Sequence, residues 1–465
     1  MRKGIRLIAS VLTGAIFMSN FGIATYAAEQ VTYLAEDGIE TKNQDGTDKT
    51  EEQLKEEILL KAKELPIETN EVKGWPEGPK ICGEAGIVMD MDNGAILYGK
   101  SIDKKYYPAS ITKIMTALLA LENSQMTDRV TFSEESLECQ HDGYAHIAMK
   151  SGEQITMQDA LYAMMLASAN EVAYAIGEAV GGTYENFVSM MNERAKELGC
   201  ENTHFVNTNG IFDENHYVSA KDMALIAKEA FSREELLKIM QTLEYTIQPT
   251  ALEAEPRIFQ QKHKMLLQGK YYDSRCIGGK TGYTDLSYNT LVTALEEDGR
   301  RIVVVILGSR DETYENTKAL ADYAFQKFQK IPIAEHETSE RISNIPEAAT
   351  VTIPKDVRFD DLKYRAKTDG ELRYFYQDEL VGTTTATIRV EQKIEKTEKK
   401  EEKEESKTNL WITIGIVAAI LILLAVFLEI LIIRRRKAKT RRSKEKRRKG
   451  REWKNESGVN NWSGK

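Results

Sequence analysis

The sequence predicts an α+β fold: one antiparallel sheet covered by helices, followed by a small C-terminal all-β domain and one transmembrane helix. Three observations predict it. An Asp92-Asn93-Gly94 turn between two apolar runs opens the folded part, the chain beyond Leu121 is mainly helical in its apolar spacing, and strand patterns return only late, on either side of Asp298-Gly299. Strands at both ends with helices between them place both ends of the domain in one sheet.

Taken in order, residues 1–28 carry a basic start (Arg2, Lys3, Arg6), an apolar run from Leu7 to Met18, and small residues at Ala24, Ala27 and Ala28. This is the pattern of a secretory signal, and the run is short for a membrane span, so cleavage after Ala27 or Ala28 is expected. Residues 29–78 are acidic and polar, with a charged stretch from Glu51 to Lys63, and read as a mobile leader with room for a short helix, not a domain. Residues 79–331 form the main domain. Its hairpin runs from Ala85 to Tyr98, and a buried helix follows from Pro108 to Leu121. Further helices lie at 160–166, 171–180 (ended by Gly181-Gly182), 187–198 and 221–231, with strands at 289–294 and 301–307 and a closing helix at 319–328. Residues 332–393 begin with a polar link and continue in short alternating runs, the small all-β domain.

Residues 394–408 are nearly all Lys and Glu and read as a solvated stalk. Residues 409–433, apolar from Leu410 to Ile433 apart from Glu429, are long enough to cross a bilayer. Residues 434–465 hold 15 Lys and Arg against 3 acidic residues, a net +12 that leaves −21 on residues 1–433 of a chain at −9. Positive charge beside a span marks its cytoplasmic side, so the body faces outward. Beside a membrane, that tail reads as a topology signal and anionic-lipid contact rather than a nucleic-acid binder. The four cysteines, Cys82, Cys139, Cys200 and Cys276, form no CxxC pair, and three pairings stay open.

Three short motifs carry chemistry. Ser110 and Lys113 lie one helical turn apart near a helix start, so the amine can reach the hydroxyl. Unpaired N–H groups there can face a developing oxyanion. That is a nucleophile with a built-in base. Ser168-Ala169-Asn170 lies in a sharp break between two apolar helices, where a hydroxyl can pass a proton and an amide can hold a substrate amide; helix capping is the plain alternative. Lys280-Thr281-Gly282, preceded by Gly278 and Gly279, lies on a strand that a peptide could join as an added strand, and Lys280 and Thr281 suit a terminal carboxylate.

The words Pro108-Ala109-Ser110-Ile111-Thr112-Lys113, Met165-Leu166-Ala167-Ser168-Ala169-Asn170 and Gly279-Lys280-Thr281-Gly282-Tyr283-Thr284 resemble, in order and spacing, the three motifs of the serine D-alanyl-D-alanine carboxypeptidases. These are low-molecular-mass penicillin-binding proteins of peptidase family S11. Phe205 to Gly210, His216-Tyr217 and Ala220-Lys221-Asp222 resemble a further segment of that family. The likeness covers about residues 80 to 393, the β domain only loosely.

The resemblance implies a β-lactamase/DD-peptidase-like fold and a peptidase that removes the terminal D-alanine of peptidoglycan stem peptides through a serine acyl-enzyme. It implies Ser110 as nucleophile, Lys113 as base and Ser168 as proton relay. Asn170 would hold the acyl side, and the N–H groups of Ser110 and Tyr283 would hold the oxyanion. Lys280, Thr281 and Gly282 would bind the substrate, with Arg310 as a helper at its carboxylate. No metal or cofactor is implied, β-lactams would inhibit, and the enzyme would sit outside the cell on a single-pass membrane anchor.

Two departures stand out: a full span where many relatives end in an amphipathic helix, and Tyr283 after the third motif. A class A β-lactamase shares the motifs, but its deacylating loop glutamate motif is not found. A zinc peptidase would need more than His141, Asp142 and His146, which a polar loop explains better. A non-enzymatic wall-binding scaffold would carry no Ser110-dependent penicillin label.

Overall fold

A computed structural model describes residues 31–43, 45–367 and 369–388. The expected signal at 1–28, the stalk, the span at 409–433 and the basic tail lie outside the described residues. Among those described, no helix is long and apolar enough to cross a membrane.

Helix α1 (Glu51–Glu64) precedes strands β1 (Ala85–Asp90) and β2 (Ile96–Lys100). A 3-10 turn over Ala109–Thr112 leads into α2 (Lys113–Asn123). Then come β3 (Arg129–Thr131), α3 (Glu134–Leu137), β4 (Gln154–Thr156) and α4 (Met157–Tyr162), which continues as a π-helical turn over Ala163–Ala167. Helices α5 (Asn170–Gly181), α6 (Tyr184–Glu197), α7 (Ala220–Ala230) and α8 (Glu234–Gln241) follow, then the small hairpin of β5 (Glu244–Ile247) and β6 (Arg257–Gln260). Strands β7 (Cys276–Thr284), β8 (Tyr288–Glu297) and β9 (Arg300–Ser309) precede α9 (Thr313–Lys327).

The main sheet is antiparallel with order β2-β1-β9-β8-β7. The chain's early hairpin therefore pairs through β1 with β9, the sheet's last strand in sequence, and β7 is an edge. Strand β9 shows why its sequence is apolar without a break: Val303, Val305 and Leu307 enter one core with the helices from α2 to α8, while Ile302, Val304 and Ile306 enter a second core with α9. A period of two with both faces covered produces a continuous apolar run.

The second core also takes residues from β10 (Phe328–Pro332), β11 (Ile342–Ser343), β12 (Thr350–Pro354), β14 (Glu371–Tyr376) and β15 (Glu379–Thr385), whereas β13 (Lys363–Ala366), paired with β14, is exposed, and β16 (Thr387–Ile388) pairs with β11. The expected boundary at residue 332 does not fall in a link. Helix α9 runs straight into β10, which pairs with β12. Buried Asn93 of the first hairpin donates to Thr352, whose hydroxyl donates to Asp90.

The leader differs most from expectation. Rather than a mobile segment, residues 33–35 lie against the main sheet, with Ala35 buried and both Leu34 N–H and Ala35 N–H donating to the Glu84 carboxylate. Helix α1 spans four turns with a full capping box at Thr50 and Gln53. Its acidic composition suggested a solvated chain, but its partners lie tens of residues away, where local pattern carries no signal. All four cysteines are free thiols.

Candidate active site

The Ser110 turn is pressed against the edge of the sheet. Ala109 holds a left-handed φ of +52°, and the turn is 3-10, so the regular helix begins at Lys113 rather than at Pro108. Two glycines make this approach possible. A Cβ on Gly282 would lie 2.9 Å from the Ser110 nitrogen, and one on Gly210 would lie 1.8 Å from the Ala109 oxygen. Thr290 on β8 donates to the Pro108 carbonyl at 2.8 Å, which pins the turn under β7.

Lys113 is fully buried beneath the half-buried Ser110. Its Nζ lies 2.9 Å from Ser110 Oγ, 2.7 Å from Asn170 Oδ1 and 2.6 Å from the Asn209 carbonyl. Burial above all, and then the charge of Lys280, hold this amine well below the ordinary lysine range. A neutral amine has two N–H bonds and one lone pair. Two N–H bonds satisfy Asn170 and Asn209, which leaves the lone pair for the Ser110 hydroxyl.

The break after Ala167 brings the second serine to the same place. Ser168 takes a left-handed φ of +64°, which ends the π-turn and lets α5 start at Asn170. Strain of this kind is held in place by surrounding contacts and clusters at functional sites. Lys280, 3 % exposed, donates to Ser168 Oγ at 3.1 Å and to the Thr281 carbonyl at 2.8 Å. Burial, and then Lys262, push its amine down to about 7.

The structure thus brings Ser110, Lys113, Ser168, Asn170 and Lys280 into one cluster, with Gly282 against the Ser110 backbone. Thr281 is half-buried beside them. Tyr283 is exposed at the edge strand, its phenol donating to Asp285. Arg310, the expected helper at the carboxylate, pairs with Glu36 of the leader.

Three participants were missed from sequence. Asn209 acts through a backbone carbonyl, Lys262 donates to Ala167 next to Ser168, and buried Glu171 accepts the Ile147 N–H at 2.7 Å, fixing the loop whose Ala145 carbonyl accepts the Asn170 N–H. The Asn207-Thr208-Asn209-Gly210 word was the only available signal for the first. A groove of about 560 Å³ lined by Tyr144, His146, Phe259 and Lys262 opens beside Ala167.

Comparison with known proteins bears on this arrangement. The chain is 32 % identical over 257 residues to the D-alanyl-D-alanine carboxypeptidase DacF of Bacillus subtilis, across 54 % of this chain and 64 % of that protein. It is 28 % identical over 303 residues to DacC, of the same description, from Escherichia coli, across 60 % of this chain and 73 % of that one. The fold matches penicillin binding protein 6B from Escherichia coli with a TM-score of 0.54 at 21 % identity, over 68 % of this chain and 98 % of that one, a likeness of architecture. Residues 73–311, which hold all three motifs and the cluster they form, match the profile of peptidase S11, D-alanyl-D-alanine carboxypeptidase, and the chain belongs to that family.

Proposed function

We propose that this chain is a serine-type D-alanyl-D-alanine carboxypeptidase that removes the terminal D-alanine of peptidoglycan stem peptides and is acylated by penicillin. The observation that carries the reading is the 2.9 Å contact of a buried, neutral-leaning Lys113 amine with Ser110 Oγ. An exposed lysine titrating near ~10.4 would be a charged non-base at neutral pH.

In this reading Ser110 Oγ attacks the carbonyl carbon between the two D-alanines while Lys113 takes the hydroxyl proton. The oxyanion rests on the N–H groups of Ser110 and Tyr283. The peptide C–N bond then breaks, and the leaving nitrogen receives a proton through Ser168, which Lys280 orients. Water hydrolyses the serine ester and restores the Ser110 hydroxyl. The substrate's terminal carboxylate lies against Lys280 and Thr281, and its acyl side runs along Asn170 toward the groove beside Ala167. Through Asn170 Oδ1, Lys113 also fixes which way that amide faces, leaving its NH₂ for the substrate. A β-lactam ring amide takes the place of the scissile bond.

The exported, membrane-held topology belongs to the same proposal. A cleaved signal at 1–28 and a span at 409–433 would keep the site near the wall on the outer face, with the basic tail inside. The test is D-alanine release from a synthetic pentapeptide. Wild type releases it and Ser110→Ala does not; equal release by both would reject the reading.

A further inference from the structure

Arg310 follows β9 at the end of the sheet that also carries Tyr283, since Ser309 and Tyr283 are the two partners of Asn289 in β8. Its guanidinium lies over the Tyr288 ring, 3.6 Å from the centroid. Tyr288 holds a left-handed φ of +53°, a conformation a bulky residue adopts only where its surroundings impose it. Against this pair lies Glu36. It forms the ion pair with Arg310 and accepts the Tyr288 phenol O–H at 2.9 Å.

Several contacts hold the leader there. The Glu84 carboxylate, 2 % exposed, accepts the Leu34 and Ala35 N–H groups at 3.0 and 2.9 Å. The Tyr33 ring packs on Tyr106 and Tyr288 at 5.7 and 5.2 Å. Lys55 and Lys63 of α1 pair with Asp311 and Glu312, the two residues after Arg310. Arg310 lies inside the stretch that matches the family, residues 73–311, and Glu36 lies outside it. The guanidinium thus lies within the stretch that matches the family, and its carboxylate partner lies in the leader before it.

We propose that Glu36 is a specificity-determining residue: its carboxylate occupies on Arg310 the place a substrate's terminal carboxylate would take. The inference rests on the carboxypeptidase reading above. Two carboxylates drawn to one guanidinium repel each other, so Glu36 and a substrate carboxylate compete for Arg310. An acyl donor ending in a free carboxylate must displace Glu36; a donor whose C-terminus is an amide has no charge with which to compete. The leader therefore weighs against the first kind and leaves the second untouched.

The experiment compares kcat/KM for two donors that differ only at the C-terminus, an acylated tripeptide ending in D-alanyl-D-alanine and its C-terminal amide, in the full chain. Glu36→Gln is expected to raise the acid-to-amide ratio about three- to tenfold, through a lower KM for the acid. In an Arg310→Ala background the same substitution is expected to change nothing. An unchanged or lower ratio in Glu36→Gln, or an equal rise in both backgrounds, overturns the role of Glu36. Penicillin acylation of Ser110 is measured in every protein. Acylation with an unmoved ratio defeats this inference alone, whereas no acylation of wild type defeats the carboxypeptidase reading and this inference with it.

Discussion

Lys113 shows what the site demands of one side chain. In the proposed reaction its amine must be neutral to act, and burial, with Lys280 beside it, draws its pKa down toward that state. Acylation is therefore expected to rise with pH through the depressed Lys113 pKa. It is expected to fall as Lys280, at about 7, loses the charge that meets a carboxylate, and stopped-flow acylation across pH would trace both limbs. The same depression costs stability. The unfolded chain holds the Lys113 proton up to ~10.4, whereas the fold releases it earlier, so between those values the unfolded state binds more protons and stability rises with pH. Lys113→Met is expected to be more stable than wild type at low pH, by a margin that shrinks toward alkaline pH in urea titrations, while losing about 10²–10⁴-fold in acylation. The meeting of Ser110 with Lys113 and of Ser168 with Lys280 was legible, because the proposed chemistry asks for one residue type at each position. Asn209 was not, since a backbone carbonyl leaves no mark on residue identity.

At the scale of elements, close backbone approach decides where the nucleophile stands. Gly210 has a φ of +85°, and its missing Cβ makes room for the Ala109 carbonyl. Gly210→Ala is expected to cost about 1–3 kcal/mol in chemical denaturation and to slow penicillin acylation at least about tenfold by shifting the Ser110 turn. The hairpin from β1 to β2 was readable from Asn93-Gly94, yet the second duty of Asn93 was not. Its amide ties the hairpin to β12 through Thr352, so Asn93→Ala is expected to lower the urea midpoint by an amount equivalent to about 1–3 kcal/mol. The short antiparallel pairs β3–β4 and β5–β6 escaped the sequence because strands of three or four residues are too brief for alternation to register.

Over the whole molecule, the sheet joins ends of the domain some two hundred residues apart, and that closure was foreseen from strands flanking a helical middle. The docking of the leader was not, because Glu84 and Arg310 decide it from afar. Without the leader amides Glu84 would be a buried carboxylate whose pKa burial already raises. Glu84→Ala is expected to release the Leu34 and Ala35 N–H groups to fast hydrogen exchange while α2 stays protected; unchanged protection would mean that other contacts hold the strap. The central claim, that Ser110 reacts and Lys113 makes it reactive, is tested most directly by trapping the chain with penicillin and mapping the adduct by peptide mass spectrometry. One adduct is expected, on the peptide containing Ser110, absent in Ser110→Ala and formed about 10²–10⁴-fold more slowly in Lys113→Met. An adduct elsewhere in the chain, or one formed as fast without the Lys113 amine, would contradict it.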